Sequence, residues 1–223
     1  IDGSNRARVM RFFVSHPYIT IQNFSVFGPN SPGFGAIELA KGSSYTVLSN
    51  NVVDLGRKLG VHGLLMSTEF FDRSSDTNGP RHCLIISNYI GNTLGATAIQ
   101  IAGRFNTVRM NTITNIYSSD FIRLFGHTNL IQHNRFLNNI YNPGTGNHAD
   151  FIQTFGENRQ ASLGHIIDGN VVSNIIEGQL SQLTMVNSFY DNQHGGWIFK
   201  NNIFVDIELQ ASSGIPNIRW LHN

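Results

Sequence analysis

Two stretches of sequence decide the fold: AIQIAGRFNTVRMNTITN at residues 98–115 and FIRLFGHTNLIQHNRFLNN at residues 121–139. Each stretch opens with apolar residues that alternate with polar ones, passes through a turn that contains glycine, and ends a second alternating run on asparagine. The second stretch begins 23 residues after the first. A period-two apolar pattern repeated at this interval is typical of short β-strands stacked on copies of themselves.

The run that closes on asparagine recurs along the whole chain. Its copies are ITIQN (19–23), TVLSNN (46–51), LIISN (84–88), TVRMN (107–111), LIQHN (130–134), IIDGN (166–170), IFKNN (198–202) and WLHN (220–223). The repeating unit is therefore about 22 residues long, with insertions. We expect each closing Asn to sit at a sharp corner, to adopt the left-handed backbone conformation, and to bond the next Asn in a ladder.

A second strand accompanies each unit. Its copies are AIEL (36–39), GLLM (63–66), AIQI (98–101), FIRL (121–124), FIQT (151–154), QLTM (182–185) and DIEL (206–209). The second and fourth letters are nearly all aliphatic and are predicted to face inward. The third letters are predicted to form an outward column made of Glu38, Leu65, Gln100, Arg123, Gln153, Thr184 and Glu208.

These patterns predict an all-β protein, a single-stranded parallel β-helix of about seven to eight coils. The leucine pattern and helical backs of a leucine-rich horseshoe are absent from the sequence. We expect residues 1–223 to form one domain, which is a fragment or a processed part of a longer chain, because the sequence opens on Ile1.

Composition excludes several classes of protein. A net charge of +1 provides no basic face for nucleic acid, and no apolar run is long enough to span a membrane. The lone Cys83 excludes an internal disulfide framework and a cysteine-ligated zinc site.

The repeats at 98–115 and 121–139 resemble those of right-handed parallel β-helix proteins of the pectate-lyase-like superfamily, and the resemblance extends from about Tyr18 to Asn223. It implies a right-handed helix and a place among polysaccharide lyases, hydrolases, esterases, tailspikes and surface proteins. No subfamily is assigned, because Gly126-His127 lacks the accompanying Asp-Asp pair of the polygalacturonase-like hydrolases and no lysine lies in the outward column.

Insertions predict a groove. One set (27–35, 52–62 and 137–149) precedes the AIEL-type strand and another (68–82, 157–164 and 187–196) follows it. Loops on both sides of one strand stack would wall a trough along the helix axis, suited to a linear polymer, although they could also serve only to cover edges.

Candidate catalytic residues lie beside this trough. Asp120 and Asp150 occupy matching positions on consecutive coils, about one strand spacing (~5 Å) apart. Such a pair would bind a cation such as calcium, share a proton, or draw in Arg123. The ordinary alternative is a corner Asp that accepts turn N–H bonds. His148 lies two residues before Asp150, and His62 occupies the Asp position two coils earlier.

Aromatic and charged side chains would complete the groove. Strict alternation places Phe121, Phe125, Phe151 and Phe155 outward around Arg123 and Gln153, as an apolar platform for sugar rings. The alternative is that loops cover these rings. On the far side a second column is predicted from Glu69, Arg104, His127 and Glu157, as an ion-pair ladder or, through its arginine, as a clamp on substrate carboxylates.

The predicted function is a secreted or cell-surface lyase that cleaves an acidic polysaccharide by β-elimination. Arg123 would neutralise the uronate carboxylate or act as the base, His148 would move the proton, and Asp120 with Asp150 would hold calcium or orient these groups. The predicted substrate-binding residues are Glu38, His62, Gln100, Arg104, Phe121, His127, Phe151, Gln153 and Glu157. The alternatives are a glycoside hydrolase, an epimerase, or a non-catalytic glycan-binding, tailspike or surface β-helix. The protein would be a monomer, or a trimer if tailspike-like.

Overall fold

A computed structural model describes residues 1–4, 7–66, 79–140, 149–155, 162–176, 184–187, 194–207 and 217–223. Within these residues the chain winds through three parallel sheets in turn, so that each coil adds one strand to each sheet. This confirms the predicted parallel β-helix.

The strands are numbered in chain order. The first sheet contains β1 (Arg8–Val9), β4 (Ser25–Val26), β7 (Val52–Asp54), β10 (Tyr89–Leu94), β13 (Thr112–Tyr117), β17 (Arg135–Ile140), β21 (Val171–Ile176) and β25 (Ile203–Ile207). The second contains β2 (Phe12–Val14), β5 (Gly35–Leu39), β8 (His62–Met66), β11 (Ile99–Ile101), β14 (Ile122–Leu124), β18 (Ile152–Phe155) and β22 (Thr184–Asn187). The third contains β3 (Thr20–Gln22), β6 (Val47–Ser49), β9 (Leu84–Ile86), β12 (Thr107–Arg109), β16 (Leu130–Gln132), β20 (Ile166–Asp168), β24 (Ile198–Lys200) and β26 (Arg219–Leu221). A small fourth sheet contains β15 (Gly126–His127), β19 (Ser162–Leu163) and β23 (His194–Gly195).

The core is a set of aliphatic columns inside the coil. In the second sheet Ile99 pairs with Ile122 and Ile122 with Ile152, and all three are fully buried. Their burial follows from the alternation in the sequence, and each such side chain contributes about 1.5–3 kcal/mol to the free energy of folding. The predicted inward positions of AIQI and FIRL are confirmed.

The asparagine corner joins the third sheet to the first, and two residues connect the strands there in every coil from β3 to β25. The Asn ladder is confirmed. In its middle, the Asn134 Nδ2 donates to Asn170 Oδ1 at 3.0 Å and to the Val108 carbonyl at 2.9 Å. Asn23 is not a member of the ladder, because Phe24 occupies that position in the first coil and donates its backbone N–H to Asn51 Oδ1 at 3.1 Å. The predicted left-handed conformation of the ladder Asn is wrong. It falls one residue earlier, as at Met110 and His133, because the preceding residue turns the chain while the Asn side chain points inward to its partners.

A second polar ladder lies five residues before the first. The backbone N–H of Asn106 donates to Asn129 Oδ1 at 2.9 Å, and that of Asn129 donates to His165 Nδ1 at 3.1 Å. All three residues are buried. The sequence signal was present in the repeated spacing from Asn106 to Asn111 and from Asn129 to Asn134.

Two predicted strand alignments are wrong. Thr184 pairs with Ile152 and Met185 with Gln153, a shift of one residue from the predicted alignment of QLTM. Asp206 and Ile207 belong to β25 in the first sheet, which pairs with β21, so DIEL does not continue the second sheet. Glu208 lies outside the described residues. In both cases a short apolar run matched the pattern, but its register depended on loop lengths that the pattern does not contain.

Among the residues that the structure describes, no helix is long and apolar enough to cross a membrane.

Candidate functional site

The corner that precedes the second sheet aligns chemically active residues from successive coils. Because Ile99, Ile122 and Ile152 are in register, the residues two positions earlier, Thr97, Asp120 and Asp150, also match. The pairing of Leu64 with Ile99 adds His62 to this column. The backbone N–H of Phe121 donates to the Asp150 carbonyl at 3.0 Å, which ties the two Asp-bearing corners together. The prediction that Asp120, Asp150 and His62 occupy matching positions on different coils is confirmed.

Asp120 forms an ion pair with Arg123 inside this corner. The Arg123 Nε lies 2.8 Å from Asp120 Oδ2, and the Asp120 side chain is fully buried, while the Arg123 side chain is 25% exposed. Arg123 belongs to the outward column, so the carboxylate of Asp120 also lies on the outward side of the strand. Of the outcomes considered for the carboxylate pair, the structure therefore shows the one in which Asp120 draws in Arg123.

The predicted outward platform of Phe121 and Phe151 is wrong. Both rings are fully buried in the core, each packed edge-on against Phe136, with ring centroids 5.5 Å and 4.9 Å apart. The chain turns a corner between Asp120 and Ile122, so two consecutive residues, Phe121 and Ile122, face inward and the period-two rule breaks. The same corner directs the Asp120 carboxylate outward. Phe125 is buried, and the side chain of Phe155 lies outside the described residues.

Asn139 supports the corner from inside the coil. It is fully buried in the first sheet, in a column where its neighbours in register are Ile116 and Ile175. Its Nδ2 donates to the carbonyl of Ser119 at 2.8 Å and of Asp150 at 3.4 Å. Asn139 was not among the predicted site residues. The available signal was an asparagine at a position where both neighbouring coils have isoleucine. A polar side chain in such a buried column requires hydrogen-bond partners.

His62 is electrostatically coupled to the ion pair. The pKa of His62 is lowered from 6.5 to about 4, chiefly by burial and then by the positive charge of Arg123, while a hydrogen bond to the Thr97 backbone and the charge of Asp120 act in the opposite direction. The imidazole is therefore neutral at pH 7. Its Nδ1 has no hydrogen-bond partner among the described residues. The other candidate proton carrier, His148, lies outside them.

The floor of the predicted groove is mostly covered. Gln100 and Gln153 flank Arg123 in register, and both are buried. Glu38 is buried as well, accepts the backbone N–H of Gly35 at 2.7 Å, and pairs with Arg11 at 2.8 Å. These contacts give Glu38 a structural role that the sequence analysis did not anticipate, because Arg11 precedes the first recognised repeat.

The far-side column differs from the predicted one. The backbone of Arg104 forms parallel β-bridges with Arg81 on the preceding coil and with His127 on the following coil. His127 in turn pairs with Leu163 on the next coil. The predicted neighbourhood of Arg104 and His127 is confirmed, but Arg81 and Leu163 occupy the positions beyond them. Glu69 and Glu157 lie outside the described residues. The described column therefore carries positive charge on Arg81 and Arg104, whereas the predicted column alternated between acidic and basic residues.

Calcium at Asp120 and Asp150 stays a prediction. Within the described ranges no group of three or more His, Cys, Asp or Glu side chains is arranged to hold a metal ion. One oxygen of Asp120 already faces the guanidinium of Arg123.

The fold and this site define a parallel β-helix with a buried carboxylate–arginine corner. No protein-family model and no curated protein matches the sequence. Among solved structures the chain matches the Dettilon tailspike protein (gp208) at 11% identity and a TM-score of 0.27, over 96% of this chain and 60% of that one. The chain thus spans less than two thirds of the tailspike chain that it matches, and the function proposed below rests on the site.

Proposed function

We propose that the protein is a secreted or cell-surface polysaccharide lyase of the pectate-lyase-like superfamily, which cleaves a uronate-containing chain by β-elimination. The observation that supports this most directly is the partly exposed guanidinium of Arg123, held at 2.8 Å by the buried carboxylate of Asp120 on the outward face of the second sheet. A guanidinium held in one orientation is well suited to a planar carboxylate, which it can bind through two parallel hydrogen bonds.

Arg123 supplies the charge that elimination requires. Removing the proton beside a uronate carboxyl places negative charge on that carboxyl, and a fixed cation stabilises this enolate-like state. Asp120 is a positioning residue in this scheme, because it is fully buried and acts through Arg123. Asp150, on the next coil, is equally buried and contributes to the same electrostatic environment.

The proton must pass from the substrate to a base while the adjacent carbon–oxygen bond breaks and the leaving oxygen is protonated. We assign the transfer to His148, because of its position in the sequence two residues before Asp150. We also assign it to His62, because the imidazole of His62 is neutral at pH 7 and can accept a proton. If calcium binds Asp120 and Asp150, it would add to the positive charge that faces the substrate carboxylate.

A second candidate is a non-catalytic glycan-binding β-helix, which would be a trimer if tailspike-like. Full burial of both Asp120 and Asp150 favours it, because carboxylates that act directly as acid or nucleophile must reach the substrate. The same burial weighs against a glycoside hydrolase.

The test is incubation with polygalacturonate, alginate and glycosaminoglycans, with and without a chelator. Ultraviolet absorbance from the unsaturated uronate product, lost in Arg123→Ala and retained in the surface control Arg135→Ala, is the expected result. New reducing ends without this absorbance would indicate hydrolysis. Retention of the polymer without cleavage would favour the binder.

A further inference from the structure

Four stacked rings form a row on the surface, on the corner between the second and third sheets. The row consists of Tyr18, Tyr45, His82 and Phe105, one from each of four successive coils. Their ring centroids are 5.0–5.3 Å apart and their planes lie within 12° of parallel. All four side chains are exposed, Tyr18 to 73%.

The backbone beneath the row is strained. All four residues have positive φ, between 56° and 61°, where bulky side chains are rare. The equivalent positions on later coils hold Thr128, then glycine at 164 and 196, then asparagine at 217, which are mostly the residue types that this conformation favours. Each stacked pair contributes about 0.5–1.5 kcal/mol, and each left-handed backbone with a side chain costs about 1–2 kcal/mol, so the two effects roughly offset and stability gives aromatic residues no clear advantage at these positions.

The exposed part of the row is rich in hydrogen-bond donors. Because the rings stack face to face, the inner faces are covered and the edges point to solvent, and an aromatic edge bears partial positive charge. The edges also present the hydroxyls of Tyr18 and Tyr45 and the imidazole of His82.

Arginines run beside the row. Arg81 and Arg104 directly precede His82 and Phe105 and are joined to each other by a parallel bridge. Neither forms an ion pair in the part of the chain that the structure describes. The strip therefore combines positive charge with donors that repeat once per coil.

We propose that this strip, the aromatic row with Arg81 and Arg104, is a second binding surface for an acidic polysaccharide, which lies extended along the helix axis. The proposal rests on the proposed function for the class of ligand. Carboxylates and hydroxyls repeated along a polymer match donors repeated along the coils. Nucleic acid fits less well, because bases stack on open ring faces and the inner faces here are covered.

The test measures binding without cleavage, so every protein compared carries Arg123→Ala, which the proposed function makes inactive. Gel retardation in polygalacturonate, with neutral dextran as the reference polymer, is compared for the wild-type strip, Arg81→Gln, the double variant Tyr45→Asn/Phe105→Asn, and the matched control Arg135→Gln on the first sheet. Asparagine suits positive φ, so the double variant removes rings without adding backbone strain. We expect about a tenfold loss of affinity for polygalacturonate in each strip variant, a weaker salt dependence for Arg81→Gln, and no change in the control.

Two results would overturn the proposal. One is wild-type affinity in the double variant together with a lowered melting temperature, which would make the row a structural stack. The other is stronger competition by single-stranded DNA than by soluble polygalacturonate. Because Arg123 lies outside the strip, failure of the wild type to cleave any acidic polysaccharide would overturn the proposed function and leave this binding measurement unaffected.

Discussion

The Nε of Arg123 donates to Oδ2 of Asp120 at 2.8 Å across a corner of the β-helix, so that a buried carboxylate fixes a partly exposed guanidinium. The two residues are only three apart in sequence, yet they share a face because the chain turns between them. This contact orients the one residue of the central floor, among Gln100, Arg123 and Gln153, that is not buried.

Replacing Asp120 should lower kcat/KM, although its side chain is fully buried and does not reach the substrate. Asp120→Asn keeps the shape but loses the charged acceptor, and a hydrogen bond to a charged group contributes about 1.5–3 kcal/mol, so we expect about a tenfold to hundredfold loss in kcat/KM on an acidic polysaccharide. Arg123→Lys is the companion variant, because it keeps the charge and loses the Nε donor. Wild-type kcat/KM in Asp120→Asn would contradict the positioning role.

Acid should destabilise the protein through His62. Its folded-state pKa is about 4, below the ordinary value of 6.5, so the unfolded chain binds the proton more readily. The contribution to stability is fully present above the ordinary pKa and is lost as the pH falls toward 4, by about 1–3 kcal/mol. Urea denaturation of His62→Gln at pH 7 and pH 4.5 should show a smaller difference between the two pH values than the wild type. An identical pH dependence in His62→Gln and the surface variant His133→Gln would refute this account.

The Asn ladder should be sensitive to a single substitution. Asn134→Ala removes a side chain that donates at 2.9–3.0 Å and accepts from both the backbone and the side chain of Asn111 at 2.9 Å. Unsatisfied buried partners cost about 1–3 kcal/mol each, so we expect a loss of about 2–5 kcal/mol in the free energy of unfolding. Chemical denaturation measures it, and Gln132→Ala, at the end of β16 just before this corner, should cost less than about 1 kcal/mol.

Because the coils pack closely at Gly126, replacing this glycine should strongly destabilise the protein. A Cβ at this position would lie 1.8 Å from the Gly103 carbonyl oxygen, and φ is +80°. Gly33 has a φ of +81° and nothing within 4 Å of the same atom. Because the two positions have nearly the same φ, Gly33→Ala measures the cost of that φ alone, about 1–2 kcal/mol, and Gly126→Ala should cost several kcal/mol more. Similar melting temperatures for the two variants would mean that the coils separate easily at this corner.

The repeat made some features predictable before the structure. Alternation identified the inward Ile99, Ile122 and Ile152, and counting between repeats placed Asp120 beside Asp150. Both inferences needed only the period of a strand and the length of a coil.

Other features were not predictable from the pattern. Phe121 faces inward because the corner interrupts alternation, and the position of a corner depends on how neighbouring coils stack. Asn139 contacts this corner from β17, and Arg11 contacts Glu38 from the residue before β2, so no local motif revealed them.

The sequence by itself determined that this chain winds into a parallel β-helix, with aliphatic columns inside and an asparagine ladder at a two-residue corner, because periodicity is a local property of the chain. Only the tertiary structure decided which way each corner residue points, that Asp120 holds Arg123, and that four exposed rings align at strained positions. Those relationships depend on the register between coils, and register depends on contacts between residues that are distant in sequence.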